Sequence, residues 1–462
     1  MSAEGVIPPG LQQTLDRYLV ERKAMVERSR EELERKRLAG TVLDPKAGRR
    51  LELLTKAAQI MREVETHQTA LGEYCSYKYR VSLCQRGVND GRTPSGGIEV
   101  WSSPDALRAE YRGIQTCGSV WQCPVCSPKV ARERVGEICQ AMQLWQNGHK
   151  GERGAILFGT FTYQHDRTRA GRGQLAVQLA AFSKALSQLK GSRPYRELLE
   201  TIGYKGAIRG LETTVGELNG WHNHTHEIIF AGEGAVPRAL RRVRTLWARK
   251  LIACDMAGLG QFDAPLERRK KLRDLLTRCY VIQPGNKATE YVAKFGREPE
   301  GKRGRWGLAS ELARSHLKGG ASSGKSADAA GGALPARCDH ASPWELLNDA
   351  LDGDAMSADL FREYGEAFHG KRQLFWSRGL REFFGIDERE DDDLAASADH
   401  RCSRFVGVVT RAQWRAVLAK DKRWTVLCIA ARNGREFMIE YLESLERAES
   451  RAPAPEFAEA EP

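Results

Sequence analysis

The stretch 220–230, GWHNHTHEIIF, constrains this chain more than any other. His222, His224 and His226 lie two apart, so on a β-strand all three side chains leave the same face. Three of only ten histidines on one strand face point to a ligand site rather than to packing. Imidazoles at i and i+2 can reach one ion, whereas the outer pair, ~13 Å apart at a rise of ~3.3 Å per residue, cannot. One of the three therefore has another task. The preceding strand, RGLETTVG, offers a third ligand. With Leu218-Asn219-Gly220 as a three-residue hairpin loop and Gly220 left-handed, Gly216 pairs with His222, Thr214 with His224 and Glu212 with His226. Glu212 then joins the histidine face, and a loop one residue longer or shorter would turn it away. Two imidazoles and a carboxylate with open positions suit a catalytic divalent ion, Mg²⁺ or Mn²⁺, better than structural zinc. The competing reading is an exposed polar strand whose histidines pair with neighbouring carboxylates.

The surroundings read as a compact α+β domain. Ala155–Tyr163, Ala207–Val215 and Trp221–Phe230 have strand character, while 173–190, 237–254 and Asn286–Phe295 are helical. In that order strands meet antiparallel with helices packed on them. Upstream, 11–66 is charged and helical with interruptions near Gly40 and Pro45, Cys75–Cys126 is rich in cysteine and turns, and Ser127–Gln146 is helical. Downstream, 318–336 (KGGASSGKSADAAGGALPA) reads as a flexible linker. Residues 343–386 read as helical, including Trp344 and Trp376, and the acidic run DEREDDD precedes a mixed segment, 403–447. GGASSGKS at 319–326 matches a phosphate-loop pattern, but it follows a helix and runs into the linker, so no nucleotide site is expected.

Lys and Arg outnumber Asp and Glu by 72 to 60, which favours a polyanionic partner. No stretch approaches the ~18 apolar residues of a spanning helix, and the start, MSAEGVIPPGLQQ, has no secretory pattern, so the cytoplasm is the expected compartment with no membrane partner. Eleven cysteines, an odd number, argue against a disulfide framework there. In CGSVWQCPVC, Cys117, Cys123 and Cys126 cluster, with Cys84 the nearest fourth ligand and Cys139 and Cys75 its rivals. Four thiolates would make a closed structural zinc site.

Farther along lies NKATEYVAKF. On a helix, Ala288, Val292 and Phe295 form the buried stripe, and Lys287, Tyr291 and Lys294 an adjacent face where a tyrosine between lysines can meet a phosphate. With these elements the sequence resembles the HUH endonucleases, and more closely the replication initiators of rolling-circle plasmids. The paired histidines match His224-Thr225-His226, and the Tyr-x-x-Lys motif matches Tyr291-Val292-Ala293-Lys294. FGTFTYQH with Thr162 and His165, ETTVGELNGWHNH, WGLASELARSHLKGG followed by SPWELL, and GKRQLFWSRGLREFFGI extend the similarity over roughly 75–386.

The resemblance implies an antiparallel-sheet nicking domain with flanking helices at 151–317. Before it come a charged helical N-terminal region, 1–72, and a cysteine-rich zinc module with a helix, 73–150. After it come the linker, 318–342, a helical distal part, 343–390, and a small C-terminal region, 391–462. It also implies nicking of single-stranded or hairpin plasmid origin DNA, leaving a 5′-phosphotyrosine and a 3′-hydroxyl primer, with host helicase and polymerase as further partners. A phenol has pKa near 10 and needs activation. A metal held by His224, His226 and Glu212 would polarise the scissile phosphate, and Lys294 would stabilise developing charge. Related initiators carry a carboxylate one turn before the tyrosine, where this chain has Lys287. Glu290 lies ~100° round the helix from Tyr291 and can pair with Lys294, which makes it the lesser catalytic candidate. Two other readings fit: a relaxase or transposase with the same chemistry, and a non-enzymatic zinc-bearing DNA-binding protein.

Overall fold

The computed structural model describes residues 45–69, 72–163, 174–216, 220–257, 265–285 and 341–450. The expected helix 286–295 with Tyr291, Lys294 and Glu290, the linker up to 340, His165 and the first 44 residues lie outside the described residues. The described strands are β1 (Val64–Thr69), β2 (Gly72–Tyr77), β3 (Ile98–Ser102), β4 (Ala109–Arg112), β5 (Gly154–Phe161), β6 (Gly206–Gly216), β7 (Gly220–Gly232), β8 (Tyr280–Pro284), β9 (Leu374–Trp376) and β10 (Arg404–Val409).

The chain divides into two compact units whose make-up does not follow linear order. Arg50–Gln85 and Gln115–Ser397 form the larger, while Arg86–Ile114 joins the residues from Ala398 onward in the smaller.

In the larger unit five strands run antiparallel in the order β8-β5-β7-β6-β9. Directly paired residues share a face. Thus Ile156, Phe158 and Thr160 of β5, the even-numbered residues His222–Phe230 of β7, and Ile208 and Glu212 of β6 line one side. That side changes character along its length. Its apolar end, Ile156, Ile208, Ile228 and Phe230, packs beneath the helix Cys126–Asn147 through Val135, Ile138, Met142 and Trp145, with Leu380 and Phe384 completing the cover. Each such buried side chain contributes about 1.5–3 kcal/mol. The other end carries the histidines.

The opposite side is covered by the helices Gln174–Lys190 and Val243–Ala253. Trp247 packs edge-on against Phe161 and Phe182, with centroids 5.5 and 5.7 Å apart. Its indole N–H donates to the Thr162 carbonyl at 2.8 Å, satisfying the one polar atom it buries. Glu227, buried on this side, is neutralised by Lys190 and by Arg209.

Residues 343–386 are helical at Pro343–Leu351 and Ala355–Phe368, as expected, with a Ser342–Glu345 capping box at the first. Trp376 departs from the expectation. It lies on β9, where Trp376 pairs with Ile208 and Leu374 with Gly210. Three residues are too few to set a period, and pairing with the free edge of β6 overrides the neighbouring helical pattern.

The smaller unit pairs β10-β3-β4 and packs the helices Arg411–Ala419, Arg423–Arg432 and Arg435–Ser450 on that sheet. Ile98, Val100, Tyr111 and Val406 meet Trp414, Val426, Met438 and Leu442 in its core. Among the described residues no helix is long and apolar enough to cross a membrane.

Candidate metal centres

The β6–β7 hairpin pairs Gly216 with Gly220, so Glu212 stands opposite His224 and Gly210 opposite His226. This corrects the expected register by two residues. Gly220, paired with Gly216, is in the left-handed region at φ +71°. A displacement of two preserves the face, because side chains alternate with period two. Glu212 therefore still meets the histidines.

Oε2 of Glu212 lies 3.1 Å from Nε2 of His224 and 3.1 Å from Nε2 of His226. One ligand atom from each of the three residues falls within 4.8 Å of the others. Around a small hard cation bound at ~2.1 Å, adjacent ligand atoms lie ~3 Å apart, so these donors fit such an ion with little movement. Among the described residues Nδ1 of His224 is buried without a hydrogen-bond partner. Burial opposes ionisation of Glu212. The charge of His224 and the hydrogen bonds from His224 and His226 outweigh it and hold the carboxyl well below the usual range.

Two threonines complete the surroundings: Thr160, which the sequence did not single out, and Thr162 of the FGTFTYQH stretch. Thr160 Oγ1 is 3.0 Å from Nδ1 of His226, whose ring stacks on Phe158 with a 12° interplanar angle. Thr162 Oγ1 hydrogen-bonds Nε2 of His222. His222 is thus engaged with β5 and stands apart from the Glu212 cluster, although its ring centroid is 5.0 Å from that of His224. The available signal was the alternation Thr160-Phe161-Thr162. Tyr364, on the helix Ala355–Phe368, is a further residue that sequence reasoning missed. Burial pushes its phenol well above the ordinary range, and the Glu212 charge adds to the shift. Among the described residues its hydroxyl has no hydrogen-bond partner.

The second cluster joins Cys84, Cys117, Cys123 and Cys126, all buried, with sulfurs within 4.8 Å of one another. Among the described residues Cys84 takes the fourth position, 3.5 Å from both Cys123 and Cys126, and Cys117 lies 3.8 Å from Cys126. Four sulfurs around zinc at ~2.3 Å would lie ~3.8 Å apart. Cys84 follows a 3₁₀ turn, Arg80–Leu83, and Cys126 opens the long helix, its N–H donating to Cys123 Sγ at 3.3 Å. Hydrogen bonds from Cys117, Cys123 and Cys84 hold the Cys126 thiol well below its usual range, whereas burial pushes Cys123 up. Four buried sulfurs at this spacing fit a dication. The intervening loop is fastened to the Tyr364 helix region. Trp121 donates to the Lys371 carbonyl and Gln122 to the Gly365 carbonyl, each at 2.7 Å.

Tyr280 and Tyr163, the other tyrosines near the histidine strand, are 1% and 5% exposed. Tyr163 donates to Gln178 and accepts from Asn223, both at 3.1 Å.

No family model and no solved structure matches the chain. The neomycin resistance protein of Streptomyces cyanogenus is 33% identical over 160 residues, covering 30% of this chain and 35% of that protein. Protein rep of Streptomyces lividans is 28% identical over 382 residues, covering 70% of this chain and 76% of that one, so the chain is similar to a Rep protein along most of its length.

Proposed function

We propose that this protein initiates rolling-circle replication of a plasmid by nicking one strand of the origin, with Tyr291 as nucleophile and 151–317 as the nicking segment. The observation that carries this reading is the convergence of Glu212, His224 and His226 on one face of paired strands. Similarity to Protein rep supports the setting.

Glu212, His224 and His226 would hold Mg²⁺ or Mn²⁺, whose charge, when bound, polarises a non-bridging oxygen of the scissile phosphate. With the ion bound, Nδ1–H of His226 would donate to Thr160 Oγ1 and leave the Nε2 lone pair for the metal. Lys294 steadies the phenolate, and Glu290 is the nearest carboxylate in sequence to the nucleophile. The buried packing of Tyr280 and Tyr163 leaves them poorly suited to attack. Cys84, Cys117, Cys123 and Cys126 would hold a structural zinc ion.

The test is covalent capture. Full-length protein incubated with single-stranded origin DNA and Mn²⁺ is expected to carry the 5′ side of the cut on Tyr291. Tyr291→Phe removes the adduct while leaving DNA affinity within a few fold, and Lys294→Ala slows the reaction by ~10²–10³-fold. A nucleotide mapped to any other tyrosine overturns the assignment.

A further inference from the structure

We infer that the helices Val243–Ala253 and Pro265–Arg278, with the 3₁₀ turn Pro237–Leu240 before them, form a docking surface for double-helical DNA beside the nicking site. This deepens the replication reading and rests on it for the identity of the DNA.

The argument begins with charge. Residues 237–278 hold twelve Lys and Arg against four Asp and Glu, and so supply eight of the chain's net +12 charges. Arg241, Arg242, Arg249, Arg268, Arg269 and Lys270 make no ion pair among the described residues, and all six are exposed. Elsewhere in the same unit two arginines show the contrast. Arg134 pairs with Glu137 and Asp391, and Arg381 with Glu137. A concentrated set of unmatched cations repels itself and gains nothing for the fold, whereas a polyanion would relieve that repulsion.

Shape and composition select the partner. The helix Pro265–Arg278 buries only Leu275 fully, so it is held along a narrow stripe and presents the rest of its surface outward. Its fourteen residues make a rod of about 21 Å, and a duplex offers one phosphate per ~1.7 Å of axis. On the order of ten phosphates therefore lie within its span. Surfaces that prefer single strands interleave cations with aromatic platforms for base stacking. Here the aromatic side chain among the described residues of 237–278 is Trp247, fully buried against Phe161. Phosphate contact without stacking suits a duplex.

The surface also adjoins the site. Arg244 donates to the Tyr280 carbonyl at 2.9 Å, at the end of β8 that pairs with Phe161. Trp247 bonds the carbonyl of Thr162, whose hydroxyl meets His222. The helix Val243–Ala253 lies on the sheet side opposite the histidines, so a single-stranded continuation would reach the histidine face by passing round the end of β5, where Thr162 touches both Trp247 and His222.

The experiment measures binding of a 30-base-pair duplex of arbitrary sequence by fluorescence anisotropy over a salt series, for the full chain and for Arg268→Ala/Arg269→Ala/Lys270→Ala. Each lost phosphate contact lowers the slope of log K against log salt by about 0.9, so the triple variant is expected to lose about 2–3 from the slope and tenfold or more in affinity near 0.1 M salt. Arg193→Ala removes an exposed arginine already paired with Glu197 and is expected to change neither. Cleavage of a short single strand spanning only the nick should persist in the triple variant. An unchanged slope overturns the inference, as does wild-type protein that binds a 30-nucleotide single strand as tightly as the duplex, or loss of the short-strand cleavage. Failure of the wild type to nick would remove the replication reading instead, and the slope would still decide this one.

Discussion

Thr160→Val isolates the support of His226, a proposed metal ligand. The substitution keeps the branched shape on β5 and removes only the hydroxyl that lies 3.0 Å from Nδ1 of His226. Outer-shell partners of a metal-bound imidazole typically contribute 10- to 100-fold in affinity. His226 retains a second restraint, because its ring stacks nearly parallel on Phe158 at 5.4 Å. The loss should therefore fall at the low end, about tenfold or ~1.4 kcal/mol, the size of one good hydrogen bond. Titration calorimetry with Mn²⁺ reads this directly, and nicking rates over a Mn²⁺ series read it again. The metal concentration for half-maximal rate should rise about tenfold while the saturated rate changes little. Thr162→Val is the control, since its hydroxyl meets His222 rather than the Glu212 cluster. Wild-type Mn²⁺ affinity in Thr160→Val, or an equal loss in Thr162→Val, would refute the role given to Thr160.

The cysteine cluster should bind about one equivalent of zinc by elemental analysis. Cys123→Ser/Cys126→Ser should lose it and unfold at a lower temperature, because the loop carrying Trp121 and Gln122 is then anchored at one end only. Zinc-free protein with unchanged melting would count against the site. Glu212 gives a pH signature in metal-free protein. Its carboxyl sits well below the usual 4.5, so its contribution to stability is present above that pH and is lost as pH falls through the lower folded value. Acid titration followed by circular dichroism should show a shallower decline for Glu212→Gln, and identical acid limbs would contradict the depressed pKa.

The histidine face was legible because strand alternation needs only local spacing. The same periodicity rescued Glu212: the expected register was off by two, yet parity kept the carboxylate on the correct side. Cys84 was likewise within reach of cysteine spacing alone. What escaped depended on pairing between distant segments. Thr160 reaches His226 only because β5 lies beside β7, 66 residues away in sequence. Tyr364 comes near Glu212 through helix packing, which leaves no periodic trace. Trp376 was read as helical since its strand is too short to announce itself. The partnership of 86–114 with the C-terminal residues was hidden for the same reason, as neither half shows in its own sequence which strand it will pair with.

That partnership has a consequence in time. β3 is the middle strand of its sheet, flanked by β4 and β10. The ribosome makes β3 and β4 together, but at about 5–20 residues per second the roughly 300 residues before β10 take about 15–60 s to emerge. Until then Ile98, Val100 and Tyr111 have neither Val406 nor Trp414 and Met438 to lie against. The nascent hairpin therefore waits, one edge open and its apolar side wet, through most of the synthesis of the chain. Interrupted translation or clipping of the tail before Arg404 would make that exposure permanent.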